Sequence, residues 1–205
     1  MRVLIIDCGT SNLSSVCRAF EEGGGKVVIS RDPTSICDFD RLVLPGVGAF
    51  PQAMTALNKE GWPAEIKKAL ANPKVELLGI CLGMQLLATE GLEIAHCKGL
   101  DLIPGEVTRL CDESFHMRIP HVGWNAVEFI KPHRLLTGLA SGVDFYFVHS
   151  YHFSTADRNH SVGQTPYCGD FSSIVSLNNV HGVQFHPEKS SRAGLRLIRN
   201  FLAAQ

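Results

Sequence analysis

Short apolar runs alternate with segments of helical periodicity in the first half of the chain, and this alternation restricts the fold most. Residues 2–6 form a β-branched run, after which Leu13, Val16, Cys17 and Phe20 recur at helical spacing. Further strand patterns occupy 26–30, 41–44 and 75–80, and helical patterns occupy 52–60 and 63–71. Repeated strand and helix units predict an α/β fold: a doubly wound, mostly parallel central sheet flanked by helices on both faces.

The pattern changes after about residue 102, where strand patterns follow one another with few helices between them. We expect these strands at 106–110, 126–130, 144–148, 161–167, 173–177 and 180–185. They should add an antiparallel, strand-rich extension to the main sheet. A last helix over 192–203 would place Leu197, Ile198, Phe201 and Leu202 on one face and close the core.

The size and charge of the chain narrow its class. With 205 residues, 45% of them hydrophobic, the chain can build one substantial core, so we expect a single domain over 1–205. A formal net charge of -1 gives no broad basic field for nucleic acid or anionic lipid. The start of the chain reaches Asp7 after four apolar residues, too few for a secretory or membrane segment. We therefore expect a cytoplasmic protein with a small substrate and no membrane contact.

Cysteine and histidine spacing gives no reason to expect a metal. The seven cysteines contain no CxxC pair, which argues against a zinc site and a disulfide framework. The nine histidines lack HExxH spacing, and the three-residue separation of His149 and His152 is a weak metal pattern on a strand end. We expect no metal and no other cofactor.

Cys81 lies in the most informative motif. Gly79-Ile80-Cys81-Leu82-Gly83 has the G-x-nucleophile-x-G form, in which small residues flank a tight strand-to-helix turn and expose the nucleophile at the sheet edge. Such a turn also directs backbone N–H groups at a developing oxyanion, and a helix N-terminus favours a thiolate. The alternative is a buried structural cysteine between two packing glycines.

His186 is the best candidate for the base that a cysteine nucleophile needs. It follows the strand pattern at 180–185 and precedes Pro187-Glu188, so a carboxylate stands two residues away. Proline has a fixed φ and stiffens the spacing between the two side chains. A histidine oriented by a carboxylate beside a nucleophile is a triad arrangement. Alone, His186 could equally be a surface loop histidine, but together with Cys81 it predicts catalysis.

Two segments carry a family resemblance. Gly-Ile-Cys-Leu-Gly-Met-Gln at 79–85 and Gly-Val-Gln-Phe-His-Pro-Glu-Lys-Ser at 182–190 resemble the class I, triad-type glutamine amidotransferases. Within that class, the segments at 45–50, 121–125 and 146–151 resemble the glutaminase subunits of imidazole glycerol phosphate synthase. The resemblance covers essentially the whole chain and implies the class I glutamine amidotransferase fold.

The resemblance implies a role for each matching residue. Cys81 would be the nucleophile, His186 the general acid and base, and Glu188 the group that orients it. The predicted glutamine contacts and oxyanion donors lie on three segments. Glutamine would contact Gly48, Gln85, Ser150 and Tyr151, and backbone N–H groups of Leu82 and, after a peptide rearrangement, of the Val47–Gly48 loop would bind the oxyanion.

The resemblance also implies a partner. Ammonia would pass through a channel to a (β/α)8-barrel cyclase subunit in a heterodimer, with Asn12, Trp124 and Lys189 facing that subunit. The cyclase would convert N'-[(5-phosphoribulosyl)formimino]-5-aminoimidazole-4-carboxamide ribonucleotide to imidazole glycerol phosphate and 5-aminoimidazole-4-carboxamide ribonucleotide. Because the chain ends just after its last helix pattern, we expect the acceptor site on another polypeptide.

Three alternatives share parts of this pattern. A paralogous amidotransferase would use the same triad to feed a related cyclase that makes an amidino sugar for a surface polysaccharide. A catalytically silent subunit would keep the fold as a binding module. A related cysteine peptidase or γ-glutamyl hydrolase would act without a partner.

Overall fold

Thirteen strands and five α-helices make up the computed structural model, which describes residues 1–9, 13–111 and 117–203. The strands are β1 (Arg2–Ile6), β2 (Lys26–Ser30), β3 (Arg41–Gly46), β4 (Glu76–Cys81), β5 (Glu90–Gly91), β6 (Cys97–Lys98), β7 (Gly105–Arg109), β8 (His121–Phe129), β9 (Val143–His149), β10 (Tyr151–Thr155), β11 (Ser161–Pro166), β12 (Asp170–Leu177) and β13 (Val180–Val183). The helices are α1 (Leu13–Glu22), α2 (Phe50–Glu60), α3 (Trp62–Leu70), α4 (Leu82–Leu86) and α5 (Ser191–Leu202). No helix in the described ranges is long and apolar enough to cross a membrane.

Nine of these strands form the main sheet, in the order β2-β1-β3-β4-β13-β12-β11-β8-β9. The half from β2 to β13 is parallel. The half from β13 to β9 is antiparallel. The predicted parallel core with an antiparallel extension is confirmed.

Alternate residues of the central strands pack on opposite faces of the sheet, because side chains of a strand point alternately up and down. Val3 and Ile5 join a buried cluster with Phe20 of α1 and Phe201 of α5. The other face of β1 joins a second cluster, with side chains from α2, α3 and α4. Helices therefore cover both faces of the parallel half, as predicted.

The structure differs from the sequence prediction in its second sheet, which has the order β10-β7-β5-β6. Strands β5 and β6 have two residues each, which is too short to show a periodic pattern. Strand β8 also begins at His121, five residues before the predicted start at 126, because this segment pairs in register with β9 from His121 opposite His149 onward. Strand β13 ends at Val183 rather than at 185.

The strand-to-helix turn at Cys81 depends on close backbone contacts. Cys81 ends β4 with φ 54° and ψ -110°, and α4 begins at Leu82. A Cβ atom at Gly83 would lie 1.7 Å from the carbonyl oxygen of Leu44 in β3, and one at Gly79 would lie 2.5 Å from the carbonyl oxygen of Gly83. Both glycines of the motif are therefore needed for α4 to start this close to the sheet.

Replacing Gly83 with alanine should unfold or severely destabilise the protein, because the new methyl group would overlap the backbone of β3. We expect a loss of at least about 3 kcal/mol in the free energy of unfolding, measured by denaturant titration. Gly24→Ala is the matched control, since Gly24 has φ 100° but nothing within 4 Å of its Cβ position. This control should lose only about 1 to 2 kcal/mol from backbone strain; equal losses in both variants would contradict the steric account.

Candidate active site

A cavity of about 300 Å³ lies where the parallel strands end. Its wall brings together eight residues that the sequence predicted for catalysis, glutamine contact or oxyanion binding: Val47, Gly48, Cys81, Leu82, Gln85, Ser150, Tyr151 and His186. They come from four separate parts of the chain. The register of β3 and β4 explains part of this arrangement, because Gly46 at the end of β3 pairs directly with Cys81 at the end of β4.

The predicted triad is assembled beside this cavity. His186 Nδ1 donates a hydrogen bond to Glu188 Oε1 at 2.8 Å, and the side chains of His186 and Glu188 are only 5% and 4% exposed. This bond fixes the tautomer of the ring and leaves Nε2 for the nucleophile. Nε2 has no nitrogen or oxygen partner in the described ranges. It interacts instead with the thiol of Cys81.

Burial alone would lower the pKa of His186, since it disfavours the charged ring. Hydrogen bonds and charges from Cys81 and Glu188 outweigh burial and raise this pKa to about 10. At neutral pH the imidazolium form of His186 is therefore favoured, and it lies beside the side chain of Cys81. Such a pair combines a sulfur nucleophile with a proton donor.

The backbone of His186 is hydrogen-bonded to β9. His186 N–H donates to the carbonyl of Tyr146 at 2.9 Å. Ser190 completes the link, because its hydroxyl donates to the carbonyl of His186 at 2.7 Å and accepts from the Tyr146 N–H at 3.0 Å. The position of the base thus depends on the position of Tyr146.

The loop after β3 and the start of α4 supply backbone N–H groups at the cavity. Leu82 is the first residue of α4, and N–H groups in a first helical turn have no partner within the helix. Gly48 has φ 100° and nothing within 4 Å of its Cβ position. Rotation of the Val47–Gly48 peptide would thus meet no side-chain obstacle at position 48, and glycine tolerates such backbone changes at low cost.

Four residues of the site were not assigned by the sequence analysis: Glu93, Val148, His149 and Gln184. Glu93 accepts a hydrogen bond from the Phe50 N–H at 2.7 Å and lines the cavity. It lies in a stretch of two-residue strands without a periodic pattern. Gln184 stands inside the motif at 182–190, but its type alone suggested no role.

His149 holds the Ser150–Tyr151 segment in place. Its Nδ1 donates to the carbonyl of Tyr151 at 2.9 Å, and Gln85 Nε2 donates to the same carbonyl at 2.8 Å. Burial lowers the pKa of His149 to about 3. The ring is therefore neutral, and its Nε2 accepts from Nδ1 of His121 at 3.0 Å.

Trp124 and Lys189, two predicted partner contacts, meet on one exposed surface. Trp124 is 52% exposed, which excludes simple core packing for its ring. It packs edge-to-face on Tyr146 at 6.1 Å, and the Lys189 amine lies 5.8 Å from the centre of the same ring. The third predicted contact, Asn12, lies outside the described residues.

The chemistry of the site is that of a cysteine-dependent amide hydrolase. A thiol at a strand-to-helix turn faces a histidine that a carboxylate orients, and backbone N–H groups lie beside it. Among residues 1–9, 13–111 and 117–203, no group of three or more histidine, cysteine or acidic side chains could hold a metal ion.

Comparisons with known proteins agree with this chemistry. The family model for class-I glutamine amidotransferases matches residues 4–205. A solved glutamine amidotransferase superposes with a TM-score of 0.76 at 19% identity, covering 98% of this chain and 96% of the other. Another, from Thermotoga maritima, gives 0.68 at 19% identity, covering 98% and 82%. These two structures show the likeness of the fold alone. The family match over residues 4–205 shows that the chain belongs to the class I glutamine amidotransferases.

Curated relatives narrow the family. Imidazole glycerol phosphate synthase subunit HisH of Cereibacter sphaeroides is 42% identical over 98% of both chains. The subunit of the same name from Moorella thermoacetica is 45% identical over 97% of this chain and 93% of the relative. Within the class I enzymes, the chain belongs to the HisH family.

The raised pKa of His186 gives a direct prediction. In the unmodified protein, NMR titration of the imidazole should give a midpoint near 10. Cys81→Ala should lower the midpoint, because the hydrogen bond and the electrostatic interaction with Cys81 that raise the pKa of His186 are lost. In Cys81→Ala combined with Glu188→Gln only burial remains, so the midpoint should fall below the ordinary value of about 6.5. The exposed-cysteine control Cys37→Ala should leave it unchanged; an unchanged midpoint in Cys81→Ala would contradict the pairing.

Proposed function

We propose that this chain is the glutaminase subunit of an imidazole glycerol phosphate synthase. It hydrolyses glutamine to glutamate and ammonia, and it delivers the ammonia to a cyclase subunit. The observation that carries the proposal is the meeting of Cys81, His186 and Gln85 around one cavity, with Glu188 behind the histidine, in a chain of the HisH family.

The first step forms a thioester. The Cys81 thiolate attacks the side-chain carbonyl carbon of glutamine, and the carbonyl oxygen becomes an oxyanion. His186 donates its Nε2 proton to the amide nitrogen, the carbon–nitrogen bond breaks, and ammonia leaves. The γ-glutamyl group stays on the sulfur of Cys81.

The second step releases glutamate. His186, now neutral, removes a proton from water, and the resulting hydroxide attacks the thioester carbon. The carbon–sulfur bond breaks and restores the thiolate beside the imidazolium. Glu188 keeps the ring in one orientation through both steps, because Nδ1 stays bonded to its carboxylate.

Backbone groups stabilise the oxyanion in both steps. The N–H of Leu82 at the start of α4 is one donor, and an N–H of the Val47–Gly48 loop becomes the second when that peptide rotates. The open space at Gly48 supports this rotation. Losing one such donor typically costs a factor of about 10² to 10³ in turnover.

Glu93 adds a carboxylate to the wall of the same cavity. This carboxylate would pair with the α-ammonium group of glutamine, while Gln85 and the Ser150–Tyr151 segment would hold the rest of the substrate. Glutamine is one methylene longer than asparagine. A cavity that pairs Glu93 with the α-ammonium group while Cys81 meets the carboxamide would therefore select the substrate by length as well as by charge.

A cyclase subunit would dock over Trp124 and Lys189 to give a cytoplasmic heterodimer. Buried tryptophan anchors dominate many interfaces, which supports a docking role for the exposed ring of Trp124. Tyr146 contacts both side chains and is bonded to the backbone of His186. Docking on this surface would therefore affect the position of the catalytic base. We expect low glutaminase activity without the partner.

The first test of the proposal uses Cys81→Ala in the complex with the cyclase subunit. This variant should lose glutamine-dependent product formation by a factor of 10³ or more, because no thioester can form. Activity supplied with ammonium salts should survive, since the acceptor chemistry belongs to the partner. Cys37→Ala is the matched control. Retained glutamine use in Cys81→Ala would refute the mechanism, and failure to co-purify with a cyclase would refute the partner.

The second test concerns Glu93. Glu93→Gln should raise KM for glutamine by about tenfold to 100-fold and change kcat much less, because the charge pair is made equally in the ground and transition states. Glu65→Gln, which replaces a half-buried carboxylate on α3 outside the cavity wall, is the control. A loss confined to kcat would show that Glu93 does not bind the substrate.

A further inference from the structure

Gln184 lies two residues before His186, and its polar side chain is fully buried. It has no role in the two steps above. It is 0% exposed and follows β13, where its backbone N–H donates to the carbonyl of Ser173 at 2.9 Å. Its side chain points at the nucleophile, with Nε2 at 3.7 Å from the Cys81 sulfur. The oxygen and the NH₂ group of a buried amide each normally have a hydrogen-bond partner.

The hydrogen-bond network fixes which end of the amide faces the sulfur. The carbonyl of Tyr151 can only accept, so the group of Gln85 that contacts it at 2.8 Å is its NH₂. The same NH₂ lies 3.1 Å from Gln184, which must therefore present its oxygen there. The remaining end of the Gln184 amide is its NH₂ group, and it faces Cys81.

The sulfur has a second polar neighbour of the opposite kind. The carbonyl oxygen of Val148 lies 3.8 Å from Cys81 Sγ. A carbonyl accepts a hydrogen bond from a thiol but repels a thiolate, whereas an amide N–H donates to a thiolate. Val148 therefore favours the protonated sulfur and Gln184 favours the ionised one.

We propose that Gln184 is a further catalytic residue of this site, a neutral donor that stabilises the Cys81 thiolate from the side away from His186. Gln85 is its positioning residue, because it holds the Gln184 oxygen and so directs the NH₂ group at the sulfur. The inference rests on the proposed function, since it assigns a role within the same reaction. Gln85 also lines the cavity. A contact between glutamine and Gln85 would therefore be transmitted to Cys81 through the side-chain amide of Gln184.

The donor matters most before attack and after release. In both states the sulfur carries the charge, and a hydrogen bond from Gln184 lowers the free energy of the thiolate without adding a second buried cation. During attack the charge moves to the oxyanion, where the backbone donors take over.

The test replaces Gln184 with methionine, which has a similar shape and no donor. Peptide-resolved mass spectrometry would follow the alkylation of Cys81 by iodoacetamide from pH 5 to 10. We expect an about tenfold lower rate below the midpoint, a midpoint about one pH unit higher, and an unchanged plateau at high pH. Gln164→Met, on β11, is the matched control and should follow the unmodified protein.

Steady-state kinetics of the complex with the cyclase separate this role from mere support of Gln85. Gln85 keeps its bond to Tyr151 in Gln184→Met, so KM for glutamine should change less than about threefold while kcat falls about tenfold. A raised KM with an unchanged alkylation profile would overturn the proposal. So would an equal loss of alkylation rate at every pH, which indicates disturbed packing.

A measurement on the unmodified protein covers the case in which the methionine variant does not fold. The side-chain amide resonances of Gln184 should shift when Cys81 is alkylated, whereas those of Gln164 should not. Absence of a shift at Gln184 would refute the contact. If Cys81→Ala keeps glutaminase activity, the proposed function fails; if Cys81→Ala is inactive but Gln184→Met behaves as the unmodified protein, only the present inference fails.

Discussion

The site depends on the close packing of the first turn of α4 against β3. Because Gly83 has no side chain, its backbone comes close enough to the Leu44 carbonyl for α4 to start at the sheet edge. Cys81, directly before this turn, has φ 54°, a backbone conformation that is strained for a residue with a side chain and costs about 1 to 3 kcal/mol. In this conformation the Cys81 side chain, which is 6% exposed, also lines the cavity beside the loop that follows β3.

Electrostatic interactions around His186 are the second determinant of the site. A buried imidazolium is costly unless its surroundings compensate the charge, and here the carboxylate of Glu188 and the side chain of Cys81 both interact with the ring. The same ring is tied through Ser190 and Tyr146 to the surface that carries Trp124 and Lys189. A few hydrogen bonds thus connect the catalytic histidine to the surface that we propose for the partner, which would give the subunit a physical route for sensing a bound partner.

The sequence predicted the parts of this arrangement that local patterns encode. Strand runs at 2–6 and 26–30 and the turn at Cys81 were predictable, because β-branched periodicity and the glycine pair have local causes. Gln184 and His149 were not assigned, because their roles depend on which carbonyl each side chain meets across the fold. The start of β8 at His121 was not predicted, since this segment buries the polar His121 and exposes the apolar Val122 and Trp124, the reverse of the usual strand pattern.

The central claim is that Cys81 becomes covalently bound to the glutamyl group. Rapid acid quenching of the complex during turnover of isotopically labelled glutamine, followed by peptide mass spectrometry, tests it most directly. The account predicts a labelled γ-glutamyl thioester on the peptide that contains Cys81, and none in Cys81→Ala. Turnover without any label on that peptide, or label on another cysteine, would contradict it.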